Sequence, residues 1–302
     1  MAIAEETKFR DEAALRLTAG RVSATFVPGL GMTGVSLRNG SAEHLALPGG
    51  LDALRKGHTT GLPLLAPWAN RLSARVYRVG RVRVDMHGLR LGVDEHHLPI
   101  HGLLVGRKGW RVDRLTTHRG TPRAHASIEV HAKAFPFPHR IDVVASVHEN
   151  GLTIDTTLTP TGRRSVPVTF GWHPYLQLPG IARSRWRLRL PSRRHLFLDG
   201  RGIPDGAEAR EAAEQAAVAR RTFDDLYALG RDRRLSFSAP GGRGVELRCG
   251  SGYPYAQVWV PPGKGFAALE PMAAPTNALV DGEAPLVPPG ESFTATFTLA
   301  VS

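Results

Sequence analysis

Short stretches in which every second residue is apolar recur along this chain, and helical spacing is rare. Residues 292–301 put Phe293, Ala295, Phe297, Leu299 and Val301 on one face, the period of two that marks a half-buried strand. Residues 21–27 alternate in the same way and break at Pro28-Gly29. Val76, Val82 and Val84 sit among polar neighbours in 75–85, with Gly80 as the turn. Residues 141–147 and 152–158 flank Glu149-Asn150-Gly151, and Asn-Gly is the strongest short hairpin signal. A second hairpin around Gly241-Gly242 joins 235–237 to 245–247. The one strong helix candidate is 207–220, rich in Ala, Glu and Gln, with a short turn at 51–56. Turn residues separate the strands, and neither a linker nor a repeat of fixed period divides the chain. The pattern predicts an all-β protein, a β-sandwich or barrel, with residues 1–302 as a single domain.

Composition narrows the function classes. With 42% hydrophobic and 22% charged residues, the chain has the apolar mass for a sizeable core. The net charge of +12 is carried mostly by Arg, since Lys occurs only at positions 8, 56, 108, 133 and 264. These arginines are dispersed, and no zinc-finger or RNA-recognition signature accompanies them, so no nucleic-acid partner is expected. Cys249 is the only cysteine, which excludes an intrachain disulfide and a multi-cysteine metal site. The first residues lack the basic start and apolar run of a secretory signal, and no stretch is long enough to cross a bilayer. A cytoplasmic protein without a membrane partner is expected, as a monomer or homodimer.

Two titratable residues stand in apolar surroundings: His173, in Phe170-Gly171-Trp172-His173-Pro174-Tyr175, and Glu270, in Ala268-Leu269-Glu270-Pro271-Met272. A proline after each pushes it toward extended backbone. An imidazole and a carboxylate in one site can move a proton in either direction near neutral pH. Trp172 and Tyr175, next to the histidine, suggest a stacking platform for a sugar ring. The competing readings are a core histidine bonded to backbone and an edge carboxylate paired with Arg. Asn70-Arg71 closes an apolar run, and Arg offers a rigid fork of donors for hydroxyl and carboxylate, or equally a cap or surface ion pair. His101, before Gly102, reads as a loop histidine with close backbone approach. His96, His97 and His101 match no zinc spacing, so no metal is expected. Asp224, in Thr222-Phe223-Asp224-Asp225-Leu226-Tyr227, can accept bonds from vicinal hydroxyls or serve as a turn or helix cap. No phosphate loop, nucleophile elbow or dinucleotide fingerprint is present.

In order and spacing, these motifs resemble the aldose 1-epimerase (galactose mutarotase-like) family over nearly the whole length. The likeness runs from Pro28-Gly29 through Pro67-Trp68-Ala69-Asn70-Arg71-Leu72, Ile100-His101-Gly102 with Trp110, His173-Pro174-Tyr175 and Asp224-Asp225-Leu226-Tyr227. It closes with Leu269-Glu270-Pro271-Met272, Asn277-Ala278-Leu279 and Pro289-Gly290-Glu291. The resemblance implies a large antiparallel β-sandwich that binds a small sugar on a concave face, needing no metal or organic cofactor. It implies that Glu270 is the base at the C1 hydroxyl and His173 the acid at the ring oxygen. Asn70, Arg71, His101 and Asp224 would hold ring hydroxyls. Reference pKa values of about 4.3 and 6.5 would leave the carboxylate ionised and the imidazole partly protonated. The alternatives are a hexose-6-phosphate 1-epimerase and a non-catalytic carbohydrate-binding or sugar-sensing protein on the same fold. Leu103-Leu104 after the His-Gly pair, Leu176 after His173-Pro174-Tyr175 and Trp172 before the histidine depart from the family pattern and leave the hexose preference open.

Overall fold

The predicted alternation is realised as antiparallel ladders. The computed structural model describes residues 1–302. Phe293–Val301 buries Ala295, Phe297, Leu299 and Val301 and pairs with Gly151–Pro160 on one side and Gly244–Cys249 on the other. The Asn-Gly hairpin joins Phe135–His148 to Gly151–Pro160, and the second joins Arg234–Ser238 to Gly244–Cys249. The small hairpin at Gly80 pairs Val76–Val79 with Val82–Asp85. The turn expected near 51–56 is a helix, Gly50–Arg55. No helix is long and apolar enough to cross a membrane.

Two large sheets face each other. One has nine strands, running from Glu214–Ala217 at one edge to Arg111–His118 at the other. The second has eight; its path runs Pro204–Glu211, Arg193–Leu198, Phe223–Leu229, Tyr255–Val260, Ala267–Met272, Gly171–Trp172, Leu64–Leu65, with Tyr175–Leu176 also paired to Ala267–Met272. A five-stranded sheet is formed by the first 43 residues, from Ala2–Phe9 to Ala42–Glu43. One continuous core of 64 buried residues draws on all three, among them Phe26, Phe137, Trp172, Tyr253, Leu269 and Phe297.

The expected helix at 207–220 does not form. Pro204–Glu211 adds to the edge of the eight-stranded sheet, and Glu214–Ala217 crosses to the edge of the nine-stranded one. Helix propensity amounts to only tenths of a kcal/mol per residue, and pairing to two open edges outweighs it. The crossing is held by Arg193, whose guanidinium reaches Glu211 at 2.6 Å and Glu214 at 2.7 Å while lying over the Tyr227 ring.

His139, fully buried in Phe135–His148, donates from Nδ1 to the Phe137 carbonyl at 2.7 Å and packs edge-on to Phe135. Burial pushes its pKa from 6.5 down to about 4, and the backbone bond only partly offsets this. A group that binds its proton less readily when folded withdraws stability as pH falls below its unfolded value. Between pH 6.5 and 4 His139 therefore withdraws about 3 kcal/mol. His139→Phe is expected to flatten that part of the stability-against-pH curve, read by urea unfolding at pH 7, 5.5 and 4.5.

Candidate active site

The site begins with an interruption in a ladder. Gly171 pairs with Met272 and Tyr175 with Ala268, so the same register carried through the gap sets His173 opposite Glu270. Pro174 and Pro271 fall within the gap, and neither can donate to a ladder. Freed from pairing along the strand, the His173 N–H bonds instead to the Pro63 carbonyl at 3.1 Å. The two side chains meet with Nε2 and Oε1 3.4 Å apart, and they are only 7% and 2% exposed. Three rings box the imidazole: Tyr175 stacked at 4.5 Å, Trp259 edge-on at 5.5 Å and His101 edge-on at 5.6 Å.

Burial acts on both members of the pair. It drives the His173 pKa down to about 3 and the Glu270 pKa well above 4.5, with Asp224 pushing Glu270 further up and Arg71 pulling it back. The ordinary values expected from sequence do not apply. Burial favours a carboxylic acid beside a neutral imidazole, because an ion pair there would require desolvating two charges. One proton is shared by the two groups over a wide pH range.

Asn70, Arg71 and His101 come from two loop segments that clasp each other. Arg71 bridges to Ile100, the His101 N–H donates to the Asn70 carbonyl at 3.0 Å, and the Leu72 N–H donates to that of Pro99 at 2.9 Å. Asn70 and His101 both adopt left-handed backbone, at φ 52° and 61°, a conformation uncommon for His and tolerated better by Asn. Gly102 sets how closely the clasp can shut: a Cβ there would lie 2.3 Å from the Ala66 carbonyl oxygen, at φ +68°. The close approach expected beside His101 is present. Gly102→Ala is expected to destabilise the fold by about 2 kcal/mol or more and to displace His101, measured by denaturant unfolding.

Arg71 is a hub for carboxylates. Its Nε donates to Asp94 at 2.7 Å, and its Nη atoms stand 3.7 Å from Asp224 and from Glu95. Asp224 in turn accepts from Gln257 Nε2 at 2.7 Å, and Gln257 is the ladder partner of Glu270. The Asp224 tract is therefore strand, Phe223–Leu229, not a turn or helix cap, because pairing with Tyr255–Val260 fixes it in the sheet. Glu270 Oε2, His173 Nδ1, His101 Nδ1, Asn70 Nδ2 and Gln257 Oε1 are all buried without a hydrogen-bond partner. These five atoms have no protein partner, and a ligand bearing several hydroxyls could satisfy them.

The structure revises one sequence reading and adds two residues to the site. Trp172 is no platform: it is fully buried toward the other sheet, its Nε1 donating to Thr156 Oγ1 at 3.0 Å. Tyr175 does face the site, and its aromatic companion is Trp259, which the sequence reading missed. Gln257 was missed as well. Both lie on Tyr255–Val260 at alternate positions, so the period of two could have paired them once Glu270 was matched to that strand. His96 and His97 are exposed in a turn built around Asp94, whose Oδ1 accepts the N–H groups of His96 and Leu98. Asp113, His125 and Asp142 do have the spacing to hold an ion, but they lie on the nine-stranded sheet and are engaged by Arg111 and Arg140.

Comparison with known proteins gives the family. A family model described as aldose 1-epimerase matches residues 15–300. The chain belongs to the aldose 1-epimerase family. Among solved structures it is similar to a galactose mutarotase-like protein from Clostridium acetobutylicum, with a TM-score of 0.88 at 19% identity, covering 100% of this chain and 98% of that one. It is similar also to the galactose 1-epimerase of Lactobacillus acidophilus NCFM (TM-score 0.79, 13% identity, covering 100% and 98%). A third is the GalM/aldose epimerase homologue from C. elegans (TM-score 0.75, 17% identity, covering 100% and 99%). At these identities the likeness is one of fold, and it fits the all-β sandwich of this aldose 1-epimerase family member. No curated protein matches it in sequence.

Proposed function

We propose that this chain is a mutarotase that interconverts the α and β anomers of a hexose through ring opening, with Glu270 as base and His173 as acid. The observation that carries the reading is the buried Glu270–His173 contact at 3.4 Å, ringed by unsatisfied polar atoms. A hemiacetal carbon bears two oxygens, and an acid and a base in contact can serve one each. Glu270 takes the proton from the C1 hydroxyl as that C–O bond becomes a carbonyl. The bond from C1 to the ring oxygen breaks, and the ring oxygen takes a proton from His173. After rotation about C1–C2 the chain recloses on the other face, and both protons return.

Substrate binding prepares this proton arrangement. Sugar hydroxyls donating to Glu270 favour its ionised form, the form that burial alone disfavours. The shared proton then passes to His173. Asn70, Arg71, His101 and Asp224 hold ring hydroxyls; Arg71 is oriented for this by Asp94. Residues 1–302 act as one domain in this reading, since the sheets share one core. A sugar-binding protein would gain nothing from burying an acid–base pair at a cost in stability, which favours catalysis over sensing. The test is polarimetry of freshly dissolved α-D-glucose and α-D-galactose. Faster decay of rotation than in buffer is expected for at least one, and unchanged decay for both neutral sugars and phosphorylated ones would sink the reading.

A further inference from the structure

A cleft of about 450 Å³ adjoins the Glu270–His173 site on the side of Arg71 and Asp224. These two residues, which hold ring hydroxyls in the mutarotase reading, form one wall of it, and Phe197 and Asp225 stand further along. The hairpin joining Arg193–Leu198 to Pro204–Glu211 shapes the cleft. At its turn Asp199 Oδ1 accepts the N–H groups of Arg201 and Ile203, at 2.8 and 3.1 Å. Gly202, in the same turn, lies so close that a Cβ would come within 2.8 Å of Arg71 Nη1. The hairpin therefore closes directly on a side chain that borders both spaces.

Phe197 is the one aromatic side chain in open contact with solvent, at 36% exposure. It does not hang free. Its ring lies against His195 at 4.3 Å, His195 Nδ1 is 2.9 Å from Glu211 Oε1, and the Tyr227 ring stands 4.8 Å from the imidazole. A fixed, exposed aromatic face loses little freedom on contact and suits the C–H face of a sugar ring. The polar groups nearby suit hydroxyls better than a charged ligand. The cations are already matched, Arg71 by Asp94 and Arg201 by Asp199. Glu95 is 70% exposed, and Asp225 takes a single hydrogen bond, from the Tyr227 hydroxyl at 3.2 Å. Both carboxylates are open to hydroxyl donors.

Where a second ring would be attached follows from the order of groups in the first. With the ring oxygen at His173 and C1 at Glu270, the next carbon of a pyranose, C2, falls beyond Glu270. The strand beyond Glu270 carries Gln257, and the strand after that carries Asp224. The oxygens of C2 and C3 are thus the ones directed toward Asp224 and the cleft, whereas C4 lies across the ring from C1. We infer that this site takes a disaccharide with a free reducing end, its second ring attached through O2 or O3 and stacked on Phe197. The inference rests on the assignment of Glu270 to the C1 hydroxyl and His173 to the ring oxygen.

Anomeric exchange measured by NMR tests it on glucose and on five glucose disaccharides. Kojibiose and sophorose are joined through O2, nigerose and laminaribiose through O3, and maltose through O4. At least one O2- or O3-linked sugar is expected to exceed both glucose and maltose in kcat/KM by about tenfold. Phe197→Ala should lower that advantage by about three- to tenfold, and Phe197→Tyr should keep it. The side chain packs at the surface, so both variants are expected to fold. No advantage for any O2- or O3-linked sugar, or one that Phe197→Ala leaves intact, would overturn the inference while exchange of glucose left the mutarotase reading standing. No exchange with any sugar would remove that reading and this inference together.

Discussion

Glu270→Gln should abolish measurable mutarotation and raise the melting temperature in the same variant. Loss of a positioned general base lowers kcat by about a hundred- to ten-thousandfold, and the amide keeps the shape and one hydrogen-bonding oxygen, so sugar binding remains measurable. The gain in stability follows from burial. Glu270 holds its proton more tightly folded than unfolded, so the unfolded chain ionises first as pH rises above 4.5, and the folded state loses stability until the raised pKa is passed. Glutamine removes that pH-dependent loss. The difference in melting temperature between variant and wild type should therefore widen from pH 5 to pH 8. A variant with near-wild-type turnover would show that the base lies elsewhere, and a margin that narrows with pH would contradict the burial argument.

His173→Asn should cause a comparable fall in kcat, by about a hundred- to ten-thousandfold. Wild type carries a second signature. The pair holds one proton from the His173 pKa of about 3 up to the raised value of Glu270. The catalytic rate, corrected for spontaneous mutarotation, should accordingly show no step near 6.5, where an ordinary histidine titrates, and none near 4.5. It should decline only on the alkaline side as Glu270 loses its proton, and at acid pH as His173 gains one. A bell centred between ordinary Glu and His values would mean that the two groups titrate independently in water-like surroundings.

Hairpins were legible from sequence because their signals are local: Asn150-Gly151 needs no distant partner to turn, and Phe293–Val301 alternates because one of its faces is buried. The segment 207–220 misled because its Ala and Glu content records intrinsic preference, whereas its conformation is decided by two sheet edges and by Arg193 far away in sequence. At the site, His173 and Glu270 could be singled out as polar residues in apolar runs. Their contact, however, depends on a register set by Gly171–Met272 and Tyr175–Ala268, which only pairing reveals. The family resemblance supplied that long-range information and local reading could not. Trp172 and Trp259 exchanged parts for the same reason: which face a tryptophan takes follows from strand register, and a shift of one residue reverses it.

The clasp between the segments at Asn70 and His101 separates two kinds of change open to this protein over evolutionary time. His173 sits in the gap between two short strands and Glu270 within Ala267–Met272, and the adjoining Trp172 is bonded to Thr156 of the other sheet, so the placing of the pair is tied to the packing of both sheets. Lys56, Arg90 and Arg107 hang from loops outside that lattice and can be exchanged singly. A descendant lineage could thus vary those loop positions, and with them the surroundings of His101 and Tyr175, while the pair itself stayed fixed by the sheet.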